Sequence, residues 1–390
     1  GTGSAGEYFN FAKNRAFLDV TGHQGNDFQI TKEFWKGLNK ITKTYNQDGV
    51  FVTIPGYEWS GNTSLGGDRN VFFPSEDRII RRSSHAMISD QSDIDTDCTT
   101  ANDLFLSLEA NKEFDTLIYA HCGGRYADIK YAHDGRFEKS VEVHSSWGSF
   151  EWILNDALEE GYRVGIVGNS DGHKGRPGAS YPGSSLFGAI GGLTCFLAPE
   201  LTREAIMDCM RKRRHYATSG GPNGRMYIDL KANFSSEGTI FHDDPKLFDS
   251  KGHTAKEAIM GDIVHLPDGE MSLNISITAA APIERLDIFN GLELIETFKP
   301  FSNKDLGNKI RVIWEGAEYR GRFRQVKWDG EATIFGNEII SSNPINFFNP
   351  DKSLTQTPTS LKWEALTTGN FGGFDAVSYT HLTLPTNREV

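Results

Sequence analysis

"RVGIVGNSDGHKGRPG", residues 163–178, decides how the rest of the chain is read. The apolar run Val164-Gly165-Ile166-Val167 has the length and composition of a buried strand. It leads into an acid and a histidine two residues apart, Asp171 and His173, and then into two cations, Lys174 and Arg176. Glycines and a proline punctuate the loop. A buried strand that ends in a carboxylate, an imidazole and two positive charges is presenting a site at its C-terminal end.

The segments around it alternate between helix and strand. "TKEFWKGLNKITKTYN" (31–46) places Phe34, Leu38, Ile41 and Tyr45 on one helical face, with Thr31 as N-cap. "GVFVTIPGYEW" (49–59) is a short strand stopped by Pro55-Gly56, and "TANDLFLSLEA" (100–110) is a helix opened by Thr100 and Asp103. "DTLIYAH", "KSVEVH", "RVGIVGNSD" and "GGLTCFLA" read as strands; "FEWILNDALEEG" and "LTREAIMDCMRKRR" read as helices. Apolar strands separated by helices predict a parallel α/β sheet or barrel over residues 1–223. Beyond residue 223 helical periodicity fades. "MSLNISITA" (271–279) alternates, and "IERLDIFNGLELIETF" (283–298) is a hairpin turning at Asn290-Gly291. Residues 224–376 therefore read as a β-rich second domain, a sandwich.

The chain has 390 residues and a net charge of −12, so nucleic acid and anionic membrane surfaces are poor partners for it. No apolar run is long enough to span a bilayer. Cys98, Cys122, Cys195 and Cys209 form no CxxC pair and read as free thiols. The chain opens at Gly1 without methionine, and residues 377–390, "VSYTHLTLPTNREV", do not continue the preceding pattern. They read as a translated sequencing adapter or a disordered tail that packs on nothing, dispensable for stability.

Strand ends gather the chemistry. "VTGHQGN" delivers His23, "PGYEW" Glu58, "LIYAHCGGR" His121, "VEVHSSWG" His144, and "GIVGNSDGH" Asp171 and His173. In parallel α/β folds that rim carries the active site. Imidazole with carboxylate, without thiolate, is the ligand set of hydrolytic zinc, manganese or iron centres. Arg125, Lys174 and Arg176 supply cations for an anionic substrate. Any one of these histidines alone reads more naturally as a hydrogen-bonded structural residue, and Glu58 alone as a cap or ion-pair partner. Their joint placement favours the metal site. His133, His215, His242, His253 and His265 read as solvated surface residues; His85 is open between a structural role and a substrate contact.

The ordered motifs "GH", "PGYEW", "AHCGG", "EVHSSWG" and "SDGH", with "RRHYATSG" (213–220), resemble the PHP superfamily of metal-dependent phosphoesterases. "TGHQGNDFQIT", "HSSWGSFEW", "SDGHKGRPG" and "RHYATSGGPNGRMYIDL" are similar to a bacterial group of large PHP-like proteins of unknown function. The resemblance implies a distorted seven-stranded β/α barrel with two or three divalent metals (Zn, Mn or Fe). It carries over His23, Glu58, His121, His144, Asp171 and His173 as ligands, with Glu58 bridging and Glu58, Asp171 and His173 catalytic. It also implies a first strand bearing His-x-His. No histidine precedes His23 here, so that strand is expected to lie upstream of Gly1; Gly22 stands where an acid is usual.

These readings converge on a metal-dependent phosphoesterase acting through metal-activated water on a small anionic substrate, with Arg125, Lys174 and Arg176 orienting the phosphate. Two rivals remain: an amidohydrolase-type enzyme for a non-phosphate bond, and a carbohydrate- or surface-binding protein. The second requires Trp314, Trp328 and Trp363 to line an exposed groove. Compartment and oligomeric state are not legible.

Overall fold

The computed structural model describes residues 3–180, 189–221, 224–302, 305, 307–315, 326–347, 349, 351–367 and 371–379. The chain divides into two compact units. One comprises residues 1–146, 150–181 and 190–281, the other 147–149, 182–189 and 282–390.

The first unit begins with α1 (Ala5–Asn14), closed by a Ser4–Glu7 capping box. Strand β1 (Val20–Gly22) follows, then α2 (Lys32–Tyr45), whose first turn is capped by Thr31 as expected. The buried face of α2 is Trp35, Leu38, Asn39 and Thr42. Periodicity places Phe34 on that face, yet it is exposed and borders the cavity described below. Next come β2 (Val52–Ile54), β3 (Gly56–Trp59), β4 (Arg69–Phe72) and α3 (Ala101–Ala110), with the Thr100–Asp103 capping box formed. Then follow β5 (Leu117–Ala120), β6 (Glu138–Ser145), α4 (Glu151–Glu159), β8 (Gly165–Gly168), β9 (Leu193–Phe196), α5 (Arg203–Arg211) and β10 (His215–Thr218); the two-residue β7 (Gly148–Ser149), between β6 and α4 in the chain, falls in the second unit.

The ladder departs from an all-parallel sheet. β1 pairs β2 in parallel, as do β5 with β6 and β6 with β8. β3–β4 and β4–β5 are antiparallel, because β4, in a stretch the sequence reading left without a strand, folds back on β3 as a hairpin. Sheets β1–β2, β3–β4–β5–β6–β8 and β9–β10 are separate, and a closed seven-stranded barrel is not formed by hydrogen bonding among the described residues. Val52, Ile54, Phe72, Leu117, Tyr119 and Val167 share one buried cluster with Ile206, Met207 and Met210 of α5. The strand faces thus converge on a common apolar floor.

The β texture begins near residue 224 as expected, but the compact division falls at 281/282. The intervening sheet joins β11 (Met226–Phe241), β12 (His253–Ile259), β13 (Ile263–His265) and β14 (Met271–Ala279). It belongs to the first unit because polar ties fasten β11 there. The Tyr216 hydroxyl donates to Met226 O at 2.9 Å, and Arg213 Nη2 donates to His242 O at 2.6 Å.

In the second unit β15 (Leu286–Asn290) and β16 (Glu293–Phe298) form the expected hairpin, with Gly291 at φ 60°. The remaining strands are β17 (Lys309–Glu315), β18 (Val326–Thr333), β19 (Ile339–Ile345), β20 (Leu354–Gln356), β21 (Ser360–Thr367) and β22 (Phe371–Ser378). They make two antiparallel sheets, β17–β22–β19 and β18–β21–β20. Trp314, Ile339, Phe374 and Ala376 of the first pack with Leu361 and Ala365 of the second in one buried cluster. Trp314 is buried and stacks on Trp363 (centroids 5.4 Å, planes 8° apart), while Trp328 Nε1 donates to Thr367 Oγ1. Of the tryptophans required for an exposed groove, Trp314 is buried in the core of this unit, and Trp328 and Trp363 are half-buried against that core. The proposed tail also begins inside structure: Val377 pairs with Lys309 and Ser341, and Ser378 is buried. Residues 380–390 lie outside the described residues.

Candidate metal centre

Glu58, His121 and Asp171 come together, each offering a ligand atom within 4.8 Å of the others. Three elements deliver them. Glu58 lies inside β3, His121 follows β5, and Asp171 follows β8. The His121 Nε2 is 3.2 Å from Asp171 Oδ2. Asp171 sits in the left-handed region at φ 42°, which turns the chain sharply after β8. Ser146 N donates to Ser170 O at 3.0 Å, anchoring the turn from behind. The loop after His121 passes so close that a Cβ on Gly123 would lie 2.4 Å from His121 Nε2 and 2.9 Å from Asp171 Oδ2. Glycine is required there by contact.

Glu58 is held on one oxygen: Oε1 accepts from Asn26 Nδ2 at 2.7 Å and from Ser60 Oγ at 2.8 Å. Burial pushes its carboxyl above the usual range; the His121 charge works against this and the Asp171 charge adds to it. Asp68, also buried, is raised well above its usual range by burial and then by Glu58. It accepts from Arg125 Nε at 2.9 Å, and Arg125 Nη2 stands 3.9 Å from Glu58 Oε1. Burial disfavours charge on His121, but the Glu142 and Asp171 carboxylates outweigh it and raise the ring well above its usual value. Glu142 Oε1 is 2.8 Å from His121 Nδ1. Buried carboxylates thus crowd one imidazole and one guanidinium, an environment that favours an added cation.

The remaining sequence candidates are placed differently. His23 lines the cavity beside the centre; its Nδ1 is buried without a partner, and burial lowers its pKa. His173 also lines it but is exposed, with Nδ1 3.0 Å from Asp171 O. His144 is not among the described residues that line the cavity: a register shift separates Glu142 from His144 on β6, and His144 Nε2 donates to Ile190 O at 2.8 Å. Lys174 lines the cavity, Arg176 is exposed on the same loop, and Arg125 lies against Asp68 and the Phe28 ring. His85 is buried between Asp97 and Asp93, apart from the centre. Two histidines expected at the surface are internal. His215 is buried, and the His133 Nδ1 pairs with Glu138 at 2.7 Å.

The cavity has a volume of about 730 Å3 and is lined by polar and apolar residues alike, among them Glu58, His121 and Asp171 and also Tyr8, Phe34 and Met210. Sequence reasoning missed Glu142, Asp68, Asn26 and Asn169. Glu142 carried a signal, since it stands two residues before His144 on a strand already read as part of the site. Asp68 carried none, because the strand that positions it was not read. One imidazole and two carboxylates fit a divalent cation of the zinc, manganese or iron type.

The family described as protein of unknown function DUF3604 matches residues 5–126, a stretch that includes Glu58 and His121. An uncharacterized protein of Chlamydia pneumoniae is 22% identical over 220 residues, which is 50% of this chain and 33% of that protein. The chain thus spans about a third of the length of that curated relative. A crystal structure of a two-domain protein from Bacteroides vulgatus, described as containing a predicted PHP-like metal-dependent phosphoesterase, is similar at 12% identity. It covers 72% of this chain and 83% of that one with a TM-score of 0.37, too slight a likeness to assign a fold. No helix among the described residues is long and apolar enough to cross a membrane.

Proposed function

We propose that this chain is a metal-dependent hydrolase of phosphoesters. The observation that carries the reading is the convergence of Glu58, His121 and Asp171 from three separate strands. A bound divalent cation supplies an activated water and stabilises charge developing on the substrate's oxygens. The residues of the chain hold and surround it. Glu58, whose Oε1 is steadied by Asn26 and Ser60, would offer its carboxylate to the cation. His121 contributes Nε2 and Asp171 a carboxylate oxygen. His23 and His173, on the cavity wall, are candidates for further ligands of a second ion. Lys174 and Arg176, on the loop after Asp171, supply positive charge to an anionic substrate. Arg125, anchored by Asp68, places a further guanidinium beside Glu58. The motif order resembling PHP phosphoesterases supports phosphorus as the centre attacked, and the arrangement of strands as a distorted barrel.

Elemental analysis of the full chain after loading with zinc, manganese or iron tests the centre. A substrate panel of phosphomonoesters, phosphodiesters and amides then tests the reaction. We expect bound metal and metal-dependent phosphoester cleavage. Amide cleavage without phosphoester cleavage would overturn the substrate class, and absence of bound metal would overturn the whole reading.

A further inference from the structure

Glu142 is fully buried, lines the cavity, and is absorbed by none of the roles above. Its place is fixed by the ladder: Glu142 pairs in register with Val167 of β8, and the register shifts between it and His144. One carboxylate oxygen, Oε2, accepts from Asn169 Nδ2 at 2.8 Å, and the other lies 2.8 Å from His121 Nδ1. Asn169 is itself held at both ends of its backbone. Its N–H donates to His144 O at 3.0 Å, and its carbonyl accepts from Gly192 N at 2.8 Å. The far side of the same imidazole, Nε2, faces Asp171. The line Asn169–Glu142–His121 therefore ends at the candidate cation position.

We propose that Glu142 is the positioning residue of this centre, holding His121 with Nδ1–H toward the carboxylate, so that Nε2, on the side of Glu58 and Asp171, is the nitrogen whose proton a cation displaces. The inference rests on the reading of those three residues as metal ligands. A ring nitrogen binds a cation only through its lone pair, and the hydrogen bond at the other nitrogen decides which one carries the proton. A buried carboxylate costs free energy unless it is paired or hydrogen-bonded. Glu142 meets that condition with a hydrogen bond from Asn169 on one oxygen and an ion-pair contact of 2.8 Å with the histidine on the other. Only a carboxylate can accept on both sides. A glutamine that keeps its oxygen on Asn169 turns an N–H2 toward Nδ1. With Asn169 kept in its present orientation, Nδ1 then acts as the acceptor, and the ring proton moves to Nε2, where it blocks the cation.

The test uses the full chain with zinc or manganese alone, titrated against a competing chelator, beside nitrogen–proton correlation spectra of the histidine rings. Glu142→Gln and Glu142→Ala should each weaken metal binding by roughly 10–100-fold, the range for lost outer partners of a metal-bound histidine. In Glu142→Gln the His121 ring should carry its proton on Nε2. Adding Asn169→Asp to Glu142→Gln should restore Nδ1–H and most of the affinity, because the carboxylate introduced by the second substitution accepts from the glutamine N–H2 and frees the glutamine oxygen for the histidine. Rescue by a second substitution is not what a packing role would give. Wild-type-like binding, within about threefold, in both single variants would overturn the role of Glu142 and leave the metal reading standing. Failure of the wild-type chain to bind either metal would overturn the metal reading and this inference with it.

Discussion

Asp171 combines two demands that rarely meet in one side chain. It must carry negative charge into the centre, and its backbone must occupy the left-handed region at φ 42°. Asparagine tolerates that conformation nearly as well as aspartate and lacks the charge. Asp171→Asn should therefore leave the unfolding midpoint almost unchanged while weakening metal binding by at least roughly 10–100-fold, the scale already reached by losing an outer partner. Chelator competition and thermal unfolding on the same samples check both halves, and unchanged affinity would remove Asp171 from the ligand set. Gly123→Ala is the steric counterpart. Its Cβ would intrude on His121 Nε2 and Asp171 Oδ2 without changing any charge, so metal affinity should fall while the net charge of the centre stays the same. At this scale the sequence was partly legible. Glu58, His121 and Asp171 were named because each follows or ends an apolar run. Asp68, Asn26 and Asn169 were not, because a side chain that only holds another side chain leaves no periodic mark.

At the scale of elements, local patterning located helices and most strands but not their pairing. The Thr31 and Thr100 caps formed as read, since capping needs only residues three apart. The antiparallel β3–β4 pair was missed because pairing direction is set by what the loop between the strands allows. The register shift after Glu142 was invisible for a related reason: a bulge is a property of two strands, and it removes His144 from a face that alternation assigned to it. The end of β22 corrects a further expectation. Ser378 N donates to Asn308 O at 2.8 Å, the Asn308 side chain donates to Ser378 O, and Tyr379 N donates to Glu338 O at 3.3 Å. Ending the chain after Ala376 should thus lower stability by about 2–3 kcal/mol, at about 1 kcal/mol per lost hydrogen bond. Fluorescence of the buried Trp314 during urea unfolding would report it. An unchanged midpoint would mean that these pairs add nothing to the sheet.

Across the whole molecule, buried polar groups that serve no site set how the fold responds to acid, and His215 shows how. Its polar sequence neighbours suggest a surface position, but it lies buried where β10 meets β8 and β6. Its Nδ1 donates to Ile166 O at 3.1 Å, and its Nε2 accepts from Ser140 Oγ at 3.1 Å. One donor and one acceptor describe a neutral ring. Charging it would strip the acceptor from Ser140 in a buried site, and burial accordingly lowers its pKa from 6.5 to about 4. The unfolded chain binds a proton at His215 below pH 6.5, whereas the folded chain does so only near 4. Between those values the unfolded state holds more protons, so stability rises with pH and falls on acidification. The shift corresponds to about 3 kcal/mol, present in full above pH 6.5 and lost as the pH falls to about 4. Unfolding free energies measured at steps from about pH 7.5 to about 4.5 should therefore slope more steeply for the wild-type chain than for His215→Gln, by close to one proton in the steepest part. The variant should be the less stable of the two at the neutral end of that range, where the neutral ring makes both hydrogen bonds, and the gap should close as acid is added. Parallel slopes would mean that His215 takes up its proton in the folded state as readily as in the unfolded one, and that another group sets the acid response of this fold.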